Sequence, residues 1–133
     1  MFCNKSLTFA SGFNSSGIVD NKIREIKLTQ EFQEYYNSLG EKIQQKYDYI
    51  FQIISTQYVV SEKFIKHLEN TVFYEMRVSV STNEYRTILF TIDADNFMEA
   101  KNIILLNSFL KKDTKQYKSE IQKANKILES LEG

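Results

Sequence analysis

The chain has 133 residues, with 17 Lys and Arg against 17 Asp and Glu, a single His and Cys, and neither Pro nor Trp. That length suits one domain with one core, and 42% hydrophobic residues with 8 Tyr and 10 Phe exclude intrinsic disorder as the general state. A lone Cys3 excludes a disulfide scaffold, no Cys/His spacing suits structural zinc, and no apolar run approaches the length of a bilayer span.

The segment 1–21 is rich in Ser and Asn, lacks sustained periodicity and makes a poor secretory signal; a flexible extension and a cytoplasmic chain are expected. Ordered structure is expected from Lys22, with Ile23, Ile26 and Leu28 in a first strand. Thr29 reads as an N-cap. Phe32, Tyr35, Tyr36 and Leu39 then recur at helical spacing, and Gly40 reads as the stop. A second helix is expected from Glu41 to Thr56 on the stripe Ile43, Tyr47, Ile50, Phe51 and Ile54, closing an antiparallel helical hairpin.

Residues 57–68 read as a linker. From Phe73 to Val80 the period becomes two, with Met76, Val78 and Val80 on one face and Glu75, Arg77 and Ser79 on the other. A turn at 81–84 leads into a returning strand from Tyr85 to Ile92, and Asn102 to Phe109 form a third, more buried strand. From about Thr114 the helical period returns on Tyr117, Ile121, Ala124, Leu128 and Leu131. One α+β domain over residues 22–133 follows, with a mainly antiparallel sheet.

The zero net charge hides an uneven distribution. Residues 101–126 carry Lys101, Lys111, Lys112, Lys115, Lys118, Lys123 and Lys126 against only Asp113 and Glu120. Phosphate affinity follows local charge, although a solvated helix face would carry the same residues.

Several short motifs occur in order: Lys66-His67-Leu68, Glu75-Met76-Arg77, Tyr85-Arg86, Phe109-Leu110-Lys111-Lys112, and Glu120-Ile121 with Ala124. On these the chain resembles the HigB-like branch of the RelE/ParE toxin superfamily over roughly residues 22–132. It departs from the branch at Asp113 and Tyr117, where relatives have Thr and Pro. The resemblance implies a RelE-like α+β fold: a strand and helical hairpin, then an antiparallel sheet and a C-terminal helix. It also implies the toxin of a type II toxin–antitoxin module, a ribosome-dependent mRNA endonuclease working through 2′-OH attack with no metal or other cofactor. The implied partners are a small antitoxin, often a helix-turn-helix DNA-binding protein, and the ribosome with its mRNA; no membrane partner is implied. Two other readings stay open, a ParE-like gyrase-blocking toxin and a catalytically degenerate interaction protein.

Cleavage of that kind needs cations around the phosphorane, an acceptor for the 2′ proton and a donor for the leaving oxygen. Arg77, Arg86 and Lys111 are the candidate cations, with Glu75 beside them. A two-residue hairpin loop at Thr82-Asn83 would pair Ser79 with Arg86 and put both arginines on one face; a three-residue loop would separate them. A structural Glu75–Arg pair is the competing reading, since a neighbouring guanidinium leaves the carboxylate a weak base. Lys112, Lys115, Lys118 and Tyr85 are the candidate RNA contacts, Tyr85 as a stacking platform. Tyr117 is a second aromatic candidate that also fits the last helix's core stripe. His67, the lone imidazole, reads as a surface residue.

Overall fold

The computed structural model describes residues 22–132; the expected extension at 1–21 lies outside them. The elements in chain order are β1 (Glu25–Leu28), α1 (Gln30–Asn37), α2 (Glu41–Thr56), β2 (Ile65–His67), β3 (Phe73–Val80), β4 (Asn83–Thr91), a 3-10 turn (Phe97–Glu99), β5 (Asn102–Leu110) and α3 (Gln116–Glu132). The five strands form one sheet in the order β1-β5-β4-β3-β2. Only β1 runs parallel to its neighbour, pairing Glu25 with Asn102 through Leu28 with Leu105. This is an α+β architecture consistent with the RelE-like fold.

Thr29 caps α1 as expected, its side chain accepting the Phe32 N–H. The same hydroxyl donates to the Leu105 carbonyl at 2.8 Å, so one residue starts the helix and ties it to the sheet. Gly40 does not end α1. Ser38 is the C-cap, and Gly40 is the N-cap of α2 at φ −69°, an extended conformation that any residue adopts. The apolar stripes of α1 and α2 meet over one face of the sheet. Phe32, Tyr47, Ile50, Phe51 and Ile54 are buried there with Met76, Val78, Tyr85, Ile103 and Leu105. α3 covers the other face through Ala124, Tyr117, Ile121 and Leu128, against Phe73, Ile88, Ile104, Leu106 and Phe109.

Two further local expectations are corrected, and β5 carries an irregularity. The segment 57–68 contains the edge strand β2, a run too short for its periodicity to register. The β3–β4 loop is Ser81-Thr82, one residue earlier than expected, with Ser81 at φ 56° supplying the turn's left-handed residue. Arg77 therefore pairs with Arg86 directly and Ser79 with Glu84. Because that register differs by two from the expected one, each side chain keeps its face. β5 is not regular. Thr87 opposes Ser108 while Leu89 opposes Leu105, so β5 carries one extra residue at Leu106-Asn107. The bulge turns Asn107 toward α3 beside Leu106, where its amide donates to the Glu120 carboxylate at 2.9 Å and backbone carbonyl at 3.0 Å.

The start of β1 holds a residue that sequence reasoning missed. Arg24 is 1% exposed and forms no salt bridge among the described residues. Its guanidinium donates to five carbonyls, those of Phe97, Ile54, Gln57, Tyr58 and Met98, and lies 4.3 Å from the Phe97 ring centroid. All five N–H groups are thus used. Ile54 and Gln57 are at the C-terminus of α2, whose last turn carries no basic residue, so Arg24 supplies the cation favoured there. Burial lowers its pKa from the ordinary guanidinium value.

Candidate active site

Strand alternation sends Glu75, Arg77 and Arg86 to the face that α3 only partly covers. α3 packs mainly along β5 and reaches β3 only at places such as Tyr117, leaving a cleft of about 460 Å³. The cleft is lined by Lys66, His67 and Leu68 from β2 and its end, Glu75 and Arg77 from β3, Lys111 from the end of β5, and Tyr117 from the first turn of α3; Glu69 and Thr114 complete it. β2 brings Lys66 directly opposite Glu75, and the β3–β4 pairing brings the two arginines together.

Glu75 is the centre of this arrangement and is 3% exposed. Its Oε2 lies 3.3 Å from Arg77 Nε and its Oε1 3.6 Å from Arg86 Nε. The Tyr117 hydroxyl donates to Oε1 at 2.6 Å. A buried carboxylate with two guanidiniums and a phenol is well compensated, and it fixes the position of all three partners. Tyr117 also packs edge-on against Phe109, and Lys111 Nζ lies 6.0 Å from its ring. Burial first, and then the Glu75 hydrogen bond, push the Tyr117 phenol up to about 12. It therefore carries its proton throughout the physiological range.

The two arginines have different exposures. Arg77 keeps 27% of its side chain accessible and, besides Glu75, reaches the Glu62 carbonyl at 3.3 Å. Arg86 is buried, its terminal nitrogen donating to Glu84 Oε1 at 3.2 Å and to the Tyr85 carbonyl at 3.1 Å. Hydrogen bonds from Ser79 first and Arg86 second hold the Glu84 carboxyl below the usual range. Arg86 is thus on the expected face but behind Glu75, committed to protein partners.

Tyr85 is a clear correction. As the neighbour of Arg86 it must face the opposite side of β4, and it is 6% exposed with its ring 6.3 Å from that of Tyr47 under α2. It is not available to stack on a base. Lys112, Lys115 and Lys118 are exposed on the lead-in and first turns of α3 but do not line the cleft. The backbone N–H groups of Lys112 and Asp113 donate to the Gln116 side chain, and that of Lys115 to Asp113, so this segment is a folded helix lead-in.

Tyr117, the second aromatic candidate, joins the cleft, and so do Lys66 and His67, which residue type and spacing gave no reason to place there. Their signals were present: Lys66 and His67 belong to one of the short motifs, and Tyr117 occupies the helix turn nearest the double Lys. His67 donates from Nε2 to the Thr71 carbonyl at 2.9 Å, since a carbonyl only accepts, and its ring lies 5.1 Å from that of Tyr74. It is an oriented wall of the cleft.

Among the described residues, no helix is long and apolar enough to cross a membrane. No characterised protein sequence and no solved structure shows a match to the chain. A family described as Phage derived protein Gp49-like (DUF891) matches residues 34–129, which include every residue of the cleft. With a RelE-like fold and that match, the chain belongs to the phage-derived Gp49-like family, a toxin-like, RelE/ParE-type family of toxin–antitoxin systems.

Proposed function

We propose that this chain is the toxin of a type II toxin–antitoxin module and cleaves translated mRNA on the ribosome, in the manner of the HigB-like branch. The observation that carries this reading is the convergence of Lys66, Arg77, Lys111 and the Tyr117 phenol around the buried Glu75 in one open cleft. Lys66, Arg77 and Lys111 bind the scissile phosphate and offset the charge that builds on it as the 2′-oxygen attacks. Arg77 is the best-suited of the three, because Glu75 holds its guanidinium in place while part of the side chain stays accessible. The 2′ proton passes to solvent as the 2′-oxygen attacks, while Tyr117, protonated at neutral pH, gives its proton to the leaving 5′-oxygen and is reprotonated from solvent.

Glu75 and Arg86 act as positioning residues. A carboxylate shared between two guanidiniums is a rigid anchor, and Arg86 keeps it there. The exposed Lys112, Lys115 and Lys118 contact the ribosomal or messenger backbone, where register matters less than charge. A cognate antitoxin, expected to carry a helix-turn-helix domain, holds the toxin inactive by covering the cleft. Residues 22–133 form the toxin domain, preceded by the 1–21 extension.

Inducible expression without an antitoxin tests the reading. The expected result is growth arrest with message cut on translating ribosomes, lost in Arg77→Ala and reduced about 100-fold or more in Tyr117→Phe. Arrest with intact message and DNA damage would replace the nuclease by a gyrase-directed toxin. Harmless overexpression of folded protein would leave an interaction protein.

A further inference from the structure

A second, larger cavity of about 720 Å³ lies beyond His67, past the end of β3 and β4. Its lining includes His67, Val72, Phe90, Ile92, Asp93 and Asp95. His67 lines both cavities and so divides them. The two linings differ in their cations: the cleft holds Lys66, Arg77 and Lys111 together with Glu69 and Glu75, whereas the far cavity holds Asp93 and Asp95 and no Lys or Arg. Two carboxylates with no cation in the same lining disfavour a phosphate, so the far cavity is unsuited to the backbone of a nucleic acid. Its apolar lining, from Val72 at 60% exposure and the half-buried Phe90 and Ile92, suits the face of a planar ring.

The two aspartates are not equivalent. Asp93 is committed to its own turn, accepting the backbone N–H groups of Lys101 and Asn102 and the Asn102 side-chain amide. The Asp95 carboxylate is exposed and has no partner among the described residues. Among the RNA bases, guanine presents two adjacent N–H donors, N1–H and N2–H, matched to the two oxygens of a carboxylate. Uracil offers one N–H flanked by two carbonyl oxygens, which a carboxylate repels.

We propose that this cavity is a nucleobase pocket for guanine, with Asp95 gripping its donor edge and the neighbouring phosphate placed across His67 in the cationic cleft. The phosphate half rests on the nuclease reading; the base half does not. NMR titration of the full chain with free guanosine, inosine and uridine tests the pocket without any cleavage. Guanosine should move the signals of Val72, Phe90 and Ile92. It should bind about tenfold more tightly than inosine, which lacks the N2 amine, and more tightly still than uridine. Asp95→Asn should abolish the guanosine–inosine difference, and Val72→Trp, which fills the cavity, should abolish binding there. Equal affinity for guanosine and inosine, an unchanged preference in Asp95→Asn, or shifts confined to Lys66, Arg77 and Lys111 would each overturn the proposal. Uncut message in the expression assay would defeat the nuclease reading alone, leaving the nucleoside titration to decide the pocket.

Discussion

Replacing Arg24 by Met removes a cation whose five donors all end on carbonyls, while keeping a long apolar side chain over Phe97. Each buried carbonyl left unpaired costs about 1–3 kcal/mol, and charge-assisted bonds are the stronger kind. Five such losses are not additive, because the variant also avoids burying a charge, which itself costs several kcal/mol. The net loss expected is about 3–5 kcal/mol, the range for breaking a buried charged cluster from one side. A domain this size has roughly 5–15 kcal/mol in total, so Arg24→Met should stand close to unfolding. Arg24→Lys keeps the charge but offers three donors where five are used, and should lose about 1–3 kcal/mol. Urea denaturation followed by circular dichroism, on all three proteins, measures both differences. If both variants stay within about 0.5 kcal/mol of the parent, the carbonyl cage does not hold β1, the end of α2 and the 3-10 turn together.

The two arginines of the cleft should separate when stability and activity are measured side by side. Arg86→Ala strands the buried Glu75 carboxylate and should cost about 2–4 kcal/mol in thermal melts, whereas Arg77→Ala, at the accessible rim, should cost under about 1 kcal/mol while abolishing message cleavage. Tyr35 and Tyr117 are both pushed up to about 12, chiefly by burial, and Tyr36 and Tyr47 are raised further. Folding therefore favours the protonated phenols. That stability is intact below the ordinary tyrosine value of 10.0 and is lost as pH climbs toward about 12. A tyrosinate absorbance titration should show these groups ionising together with unfolding; smooth ionisation with the fold intact would contradict it. Gly40 caps α2 with no side-chain hydrogen bond, at an ordinary φ and with no atom beyond its own chain neighbours within 4 Å of the place a Cβ would take. Gly40→Asp should therefore raise stability by about 0.5–1 kcal/mol in urea.

Much of this molecule was readable along the chain, because helices and long strands are written in short-range periodicity. The Thr29 cap and the bounds of α2 follow from neighbours a few residues apart. So does the common face of Glu75, Arg77 and Arg86, since a two-residue loop in either placement preserves the alternation of side chains. Alternation also rules out Tyr85 as a partner of Arg86 in the cleft, a consequence already implicit in adjacent positions on one strand. The remaining features depend on residues far apart in the chain. β2 becomes a strand only by pairing with β3, and that pairing sets Lys66 opposite Glu75. The extra residue in β5 turns Asn107 toward Glu120, and α3 carries Tyr117 to a carboxylate 42 positions away. Arg24 looks like an ordinary strand-edge cation until the end of α2 and the 3-10 turn close around it. Local pattern settles which way a side chain faces along its own element. What stands in front of it depends on long-range packing, where the free energy of burial and the pairing of polar groups choose among arrangements that short-range pattern leaves equal.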